Sequence, residues 1–224
     1  MPDGILPAAG LATRMRGLPK FLLPCDDNYT TLIERHILKM LDVCETVWIP
    51  TRPEQTILLE SLGLSSDRVV IVPLTTSTMT ETVMRLCSIS GAKRFLMVMP
   101  DTYFSGEQPY EYLSSETSEM NLACWAIRQG QLGKLGQVLI QDLPDGEVLE
   151  SRDKDPRCEW PHSWGAMAFN RSALSFAKPE MAHTGYMIPN LVASGVKVHA
   201  KVFDGSYFDC GTPREYLQML ELLS

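Results

Sequence analysis

The sequence lacks the features that mark disulfide-rich secreted proteins and membrane-spanning proteins. Its six cysteines are spread along the chain with no C-x-x-C pair and no zinc-ligand spacing, so we expect free thiols rather than a disulfide framework. The one apolar run near the N-terminus, ILPAAGLA, is too short to span a bilayer and has no basic leader, so neither a membrane segment nor a signal peptide is expected. Together these absences predict a cytoplasmic location.

Basic residues are also in the minority. The chain has 20 Lys and Arg against 27 Asp and Glu, a formal net charge of -7. Such a chain is a poor match for the phosphate backbone of nucleic acid or for an anionic membrane, so neither partner is expected. Any anion that binds must therefore meet a local group of cations.

Linkers and repeats are missing as well. The 224 residues, 45% of them hydrophobic, are enough to bury a large core, and no stretch rich in Pro, Gly or Ser divides them. We therefore expect one domain over residues 1–224.

Short β-rich runs alternate with helical patterns in the first hundred residues. The candidate strands GILPA, TVWIP, RVVIVP and RFLMVMP are separated by the segments TTLIERHILKMLD, EQTILLESLG and TMTETVMRLCSISG. Thr31 and Thr78, each three residues before a glutamate, mark helix starts, and Gly63 and Gly91 mark helix ends. This rhythm predicts a Rossmann-like three-layer α/β/α fold with a mostly parallel, mixed central sheet.

The pattern changes after Asp101. The segments NLACWAIR, KLGQVLIQD and GEVLESRD are strand-like, with a turn predicted at Asp145-Gly146. A strand WGAMAFN, helices RSALSFA and GYMIPNLVASG, a strand VKVHAKVF and a final helix capped by Thr212 follow. This half of the chain is expected to be mixed or antiparallel.

One loop concentrates small residues and cations. The stretch PAAGLATRMRGLPK, residues 7–20, follows the first predicted strand and carries Arg14, Arg16 and Lys20. Small residues let backbone N–H groups approach a ligand closely, so the loop can cradle phosphate. Neither the Walker A spelling nor G-x-G-x-x-G is present. The alternative is a solvated loop whose cations only keep the protein soluble.

The same stretch resembles a known signature. PAAGLATRMRGLPKFLLP is similar to the signature of the nucleotidyltransferases that activate sugar 1-phosphates, [L/P]-A-A-G-x-G-T-R-[L/M] followed by P-K-x-[L/M]-L-P. Ala12 stands where that family usually has its second glycine. The resemblance implies a GT-A-like nucleotidyltransferase fold and an enzyme that joins an NTP and a sugar 1-phosphate, or a similar phosphomonoester, with release of pyrophosphate.

The resemblance also implies roles for residues of this loop. Arg14 would hold the β- and γ-phosphates and Lys20 the α-phosphate. The implied nucleotide-binding residues of the loop are Ala8, Ala9, Gly10 and Thr13.

Two carboxylates are candidates for a metal site, because nucleotidyl transfer needs charge neutralised between the attacking and leaving oxygens. Asp101 directly follows the strand RFLMVMP, at the end of a strand where ligands collect in α/β sheets. Asp209 lies in GSYFDCGTPREYL, which resembles the family's G-x-W-x-D-x-G-T ending. The resemblance implies that both bind Mg²⁺, which prefers one or two carboxylates with phosphate oxygens and water. The alternative for each is a turn-forming aspartate.

Three weaker correspondences complete the candidate site. Lys154 in SRDKDP stands where the family writes V-E-K-P, which implies contact with the acceptor phosphate; the alternative is a solvated lysine. Trp164 and Gly165 in HSWGAMAFN match the strand that lines the sugar pocket, although a glycine there also relieves packing. Thr80 lies in the segment that replaces the family's base-facing turn, so it is assigned to nucleotide binding.

Other functions stay open at this point. One alternative is a cytidylyltransferase acting on a polyol or amino-alcohol phosphate, and another is a catalytically silent protein that senses a nucleotide or sugar phosphate. A homodimer is an open alternative to a monomer. The four histidines show no triad or metal-ligand spacing, so surface or hydrogen-bonded structural histidines are expected.

Overall fold

The computed structural model of the protein describes residues 1–10, 15, 17–128 and 130–223. Its strands are β1 Asp3–Ile5, β2 Val47–Thr51, β3 Val69–Pro73, β4 Arg94–Val98, β5 Thr102–Phe104, β6 Met120–Ala126, β7 Gly136–Ile140, β8 Asp145–Asp153, β9 His162–Asn170, β10 Val198–Val202 and β11 Tyr207–Asp209. Its α-helices are α1 Leu32–Leu41, α2 Pro53–Ser61, α3 Met79–Ser90, α4 Tyr110–Ser115, α5 Met187–Ala193 and α6 Pro213–Leu223. Short 3-10 helices span Lys20–Leu22, Arg171–Phe176 and Thr184–Tyr186.

Nine strands form the central sheet, in the order β3-β2-β1-β4-β9-β6-β10-β8-β7. The first four are parallel to one another, whereas β9 is antiparallel to both β4 and β6, and β8 is antiparallel to both β10 and β7. Among the described strands of this sheet only β8 and β9 run against the rest, so the mixed but mostly parallel sheet is confirmed.

The β1–β4 half follows the predicted βαβ rhythm. Helix α1 begins at a complete capping box between Thr31 and Glu34, and α3 begins with the hydroxyl of Thr78 accepting from the backbone N–H of Glu81. Gly91 ends α3 at a φ of 74°, a conformation that glycine adopts at no steric cost. The local signals in this half were therefore sufficient to place its helices.

The second half is mixed, as expected, but its turn lies elsewhere. Asp145 and Gly146 are the first residues of β8, where they pair with Lys201 and Ala200 of β10. The chain reverses over residues 141–144 instead. The prediction of a turn at Asp145-Gly146 was wrong because pairing with β10 outweighs the local turn preference of the Asp-Gly pair.

Two features of the second half were not predicted. Strand β7 pairs with β9 as well as with β8, which closes β9, β6, β10, β8 and β7 into a ring. Strands β5 and β11, three residues each, form a separate antiparallel pair. Both features bring distant segments to one edge of the sheet.

The core lies on both faces of the sheet. Along β4, Phe95 and Met97 pack into one apolar cluster and Leu96 and Val98 into another, as expected for a strand buried between two helix layers. All six cysteines are buried and unbridged. In the described part of the chain, none of the helices combines the length and the apolar character that crossing a bilayer requires.

Candidate active site

A cleft of about 250 Å³ lies where β1 and β4 end. This is the edge at which ligands bind in open α/β sheets. Residues of both halves of the chain form its walls. The polar and charged side chains among the described lining residues are Lys20, Asp101, Thr102, Lys134, Asp153, Lys154, Trp164, His183, Tyr207 and Asp209.

The loop after β1 forms one wall of this cleft. Ala8 is buried and its N–H donates to the carbonyl of Pro50 at 2.9 Å, which fixes the loop against β2. Ala8 and Gly10 line the cleft, and Ala9 and Gly10 line a second, adjoining cavity. Thr13 and Arg14 lie outside the described residues. The three predicted nucleotide-binding residues that are described, Ala8, Ala9 and Gly10, thus each line at least one of the two cavities.

Lys20 and Asp101 form an ion pair in the cleft. The Nζ of Lys20 lies 3.2 Å from Oδ2 of Asp101, and both side chains are largely shielded from solvent. Lys20 begins the 3-10 helix Lys20–Leu22, and Asp101 lies between β4 and β5. Two predicted site residues 81 positions apart therefore meet directly. The carboxylate of Asp101 therefore holds the ammonium group of Lys20 in place.

Asp209 reaches the same cleft through the small second sheet. It is the last residue of β11 and pairs with Thr102, the neighbour of Asp101 in the chain. The carbonyl of Asp101 also accepts from the N–H of Cys210 at 3.0 Å. The backbone therefore locks the two predicted metal-binding aspartates side by side.

Tyr207 adds a phenol beside these carboxylates. Burial, and then the charges of Asp209 and Asp101, raise the pKa of Tyr207 well above its ordinary value. The phenol therefore stays protonated as a potential hydrogen-bond donor facing the cleft. The family signature has tryptophan at this position, so the resemblance did not indicate a hydroxyl here.

Lys154 lies on the opposite wall, after β8. Its Nζ donates to Nε2 of His183 at 2.7 Å, since an ammonium group has only donors. Its backbone has a φ of 53°, a left-handed conformation that is uncommon outside glycine and is found where function requires it. Lys154 thus lines the cleft as predicted. Its partner His183 was expected to be a surface or structural histidine, without a role in the site.

The indole of Trp164 lies between two glycines on this wall. A Cβ built on Gly136 would lie 2.1 Å from Nε1 of Trp164, and one built on Gly185 would lie 2.2 Å from its Cζ2. Both positions therefore accept only glycine while the ring is in place. The ring is fixed against β7 and the 184–186 helix, and it lines the cleft.

Two predicted site residues do not line the cleft. Thr80 is fully buried on the inner face of α3. Its neighbour Thr78 lines the second cavity, and Met79 lines both cavities. Successive side chains of a helix point in different directions around its axis, so neighbouring residues of this segment meet different environments. The residue types alone did not reveal which of them would face a cavity. Gly165 is also buried, and a Cβ there would lie 2.6 Å from the ring of Tyr207, so the structure favours the packing interpretation.

Sequence reasoning missed further residues of the cleft, chiefly Lys134 and Asp153. Lys134 precedes β7, and Asp153 lies beside Lys154 at the end of β8. The Oδ2 atom of Asp153 is buried. After burial, the charge of Asp153 and a side-chain hydrogen bond with it raise the pKa of Tyr186. The acidic residue of V-E-K-P was the one signal that pointed to Asp153.

The cleft brings together lysines from distant parts of a chain in which basic residues are the minority. Three lysines and three aspartates are among its described lining residues, within a chain of net charge -7. No group of three or more His, Cys, Asp or Glu side chains able to hold a metal ion occurs in the part of the chain that the structure describes. A metal held by Asp101 and Asp209 would therefore need substrate phosphate oxygens as further ligands.

Solved structures share this fold at low sequence identity. A UDP-glucose pyrophosphorylase complexed with UDP-glucose matches with a TM-score of 0.83 at 17% identity, over 100% of this chain and 98% of that one. The UTP-bound UGPase of Acinetobacter baumannii matches at 0.78 and 16% identity, over 100% and 93%. The inositol-1-phosphate CTP transferase of T. maritima matches at 0.79 and 13%, over 99% and 95%. The comparison with curated protein sequences finds no match.

A family model covers most of the chain. The model of the MobA-like NTP transferase domain matches residues 4–169, which include the loop after β1, Lys20, Asp101, Lys154 and Trp164. The resemblance seen in the sequence is thus confirmed at the level of the nucleotidyltransferases. The chain belongs to the family of MobA-like NTP transferase domains.

Proposed function

We propose that this nucleotidyltransferase joins an NTP and a sugar 1-phosphate, giving an NDP-sugar and pyrophosphate. One observation carries the proposal. A single cleft is lined both by the Lys20–Asp101 pair with Asp209 and by Lys154 with Trp164. The first group suits the triphosphate and the second suits a phosphorylated acceptor with an apolar carbon face.

The reaction requires no general base. An oxygen of the acceptor phosphate attacks the α-phosphorus, a new P–O bond forms, and the bond to the oxygen that bridges the α- and β-phosphorus breaks. A phosphate monoester has a second pKa of about 6, so the attacking oxygen is largely anionic at neutral pH. The enzyme must supply alignment and positive charge.

The lysines would supply that charge. In the proposal, Lys20 leaves Asp101 and holds the α-phosphate, while Lys154 and His183 hold the acceptor phosphate. Arg14, by resemblance, would hold the departing pyrophosphate. Each of these groups donates hydrogen bonds to oxygens that become more negative in the transition state.

Asp101 and Asp209 fit a Mg²⁺ site in their chemistry. Both are carboxylates on adjacent segments of the small sheet, and this donor set matches the one or two carboxylates that Mg²⁺ takes when substrate phosphates complete its shell. The ion, when bound, would neutralise charge on the phosphate oxygens. Asp101 would be available to the ion once the ammonium group of Lys20 holds the nucleotide.

The acceptor wall offers two further contacts. The clamped indole of Trp164 would pack against the C–H face of a sugar ring, and the buried Oδ2 of Asp153 would accept from a sugar hydroxyl. A carboxylate at this point favours acceptors that carry a hydroxyl or another hydrogen-bond donor.

Pyrophosphate release tests the proposal. Four NTPs are combined with Mg²⁺ and a panel of sugar 1-phosphates, extended to polyol and amino-alcohol phosphates. Turnover with a sugar 1-phosphate supports the proposal. Turnover with only a polyol or amino-alcohol phosphate would instead identify an enzyme for that class of acceptor. Nucleotide binding without turnover on any pair would identify a catalytically silent sensor.

The Lys20→Ala variant tests the site itself. Loss of a charge partner of the transition state is expected to lower kcat by roughly 100-fold or more. Lys39, exposed on α1, provides the matched control, because Lys39→Ala removes the same charge far from the cleft. Equal kcat values for the two variants would reject the role of Lys20.

A further inference from the structure

A second cavity of about 280 Å³ adjoins the cleft. It shares Pro7, Gly10, Met79 and Met99 with the cleft, so the two cavities are continuous along the loop after β1. Its described lining carries one formally charged side chain, Arg52. Because the described lysines and aspartates of the site line the other cavity, this one suits the uncharged part of a nucleotide, its base.

The threonine hydroxyls of this cavity are already engaged. Those of Thr76 and Thr82 bond each other at 2.5 Å. That of Thr78 accepts from the N–H of Glu81 at 3.0 Å and donates to the carbonyl of Pro179. These groups shape the wall, and their hydrogen-bonding capacity for a ligand is reduced.

The side chain of Arg52 is fixed in position, and some of its N–H groups remain available to a ligand. It lies between β2 and α2, and its Nε donates to the carbonyl of Ala9 at 3.1 Å. Its Nη1 makes one long contact of 3.4 Å with Glu54, whose side chain is 64% exposed, so that pair is weak. Nη2 bonds none of the described residues. The guanidinium is therefore held by the nucleotide-binding loop itself.

A guanidinium group has donors and no acceptor. It suits a base edge with two adjacent acceptors, which cytosine offers at N3 and O2 and guanine at O6 and N7. Uracil and thymine place an N–H beside each carbonyl, and adenine places an amino group beside N1 and N7. Against any of these bases, one N–H group of the guanidinium would face another hydrogen-bond donor. A mismatch of this kind leaves polar groups unpaired.

We propose that Arg52 selects the nucleobase, and that the nucleotide is CTP or GTP rather than UTP, dTTP or ATP. This inference rests on the proposed function for the identity of the ligand as a nucleotide. The two accepted bases share one chemistry, an adjacent pair of acceptors. Separate measurements with CTP and GTP decide between them.

Isothermal titration calorimetry with Mg²⁺ tests the selection without requiring turnover. CTP or GTP should bind the wild-type protein roughly tenfold to a hundredfold more tightly than UTP, dTTP and ATP, the range of a good bidentate contact. Arg52→Ala should remove that difference by weakening the preferred nucleotide. Glu54→Ala, which removes only the weak partner, should leave the preference unchanged.

Two results would overturn the inference. One is a wild-type preference for UTP, dTTP or ATP. The other is an equal loss of binding affinity for every nucleotide in the Arg52→Ala variant, which would mean that Arg52 only stabilises the loop at Ala9. If Arg52→Ala fails to fold, Arg52→Lys is used instead, because it keeps a cation near the Ala9 carbonyl but removes the paired N–H donors of the guanidinium. An unchanged preference for CTP or GTP in the Arg52→Lys variant would also reject the inference. Preference in binding without pyrophosphate release would reject the proposed function alone.

Discussion

His36 shows how one residue supports the site without touching it. It is 1% exposed; its Nδ1 accepts from the hydroxyl of Tyr110 at 2.7 Å and its Nε2 donates to the carbonyl of Thr102 at 2.8 Å. Thr102 follows Asp101 and pairs with Asp209, so this hydrogen-bonded histidine fixes the backbone that carries both carboxylates. The expectation of a hydrogen-bonded structural histidine is confirmed for His36.

The pH dependence of stability should reflect His36. Burial lowers its pKa to about 4 from an ordinary value of 6.5. The unfolded chain therefore binds this proton first, and the contribution of His36 is complete above pH 6.5 and is lost as pH falls to about 4. The loss amounts to about 3 kcal/mol. Urea denaturation at pH 7, 6, 5 and 4.5 should show a steeper fall for the wild type than for His36→Gln, and equal slopes would contradict the assignment.

The Trp164 clamp can be tested by substitution at Gly136. Gly136→Ala puts a methyl group into the indole and should destabilise the protein by about 1–3 kcal/mol, with a raised KM for the acceptor. Trp164→Phe removes the Nε1 atom that the methyl group meets. In a double-mutant cycle measured by denaturation, the double variant should lose less free energy of unfolding than the sum of the losses of the two single variants. Strict additivity would show that the methyl group and the indole do not meet.

At the scale of elements, the capping box of α1 holds the helix that carries His36. The hydroxyl of Thr31 accepts from the N–H of Glu34 at 3.3 Å, and the carboxylate of Glu34 accepts from the N–H of Thr31 at 2.8 Å. The sequence located this helix start correctly because a capping box is a local pattern whose partners are three residues apart.

Removal of the cap should weaken the whole fold. Thr31→Ala is expected to lower the free energy of unfolding by about 1 kcal/mol, since one helix N–H loses its acceptor. Thr31→Ser, which keeps the hydroxyl, is the control and should cost much less. The measurement is the denaturation midpoint at constant slope. Equal losses in the two variants would assign the effect to the methyl group instead.

At the scale of the whole molecule, the cleft draws on segments from residue 7 to residue 209. A ligand that bridges its walls should therefore stabilise the folded chain as a unit. An NTP with Mg²⁺ at 100 times its Kd would add about 2.7 kcal/mol, or a rise in Tm of roughly 5–10 °C for a chain of this size. Differential scanning fluorimetry should show that rise in the wild type and a much smaller one in Lys20→Ala at the same NTP concentration. A full shift in that variant would place the nucleotide elsewhere.

Several features of the site could be predicted from the amino-acid sequence alone: the loop after β1, the alternation of strands and helices in the first hundred residues, and the candidates Lys20, Asp101, Lys154, Trp164 and Asp209. Each of these depends on a short motif or on a strand end, and such patterns are local in the chain. For the same reason the sequence alone indicates that the protein is a nucleotidyltransferase.

The tertiary structure decided which of these residues meet. The pairing of Asp209 with Thr102 depends on two strands of three residues, too short to show a hydrophobic period. The contact of Arg52 with Ala9 and that of Lys154 with His183 join residues 43 and 29 positions apart, and only the packing of the folded chain brings them together. Thr80 and Gly165 turned inward for a related reason, because packing against neighbouring elements decides which side chains of a segment face the cleft.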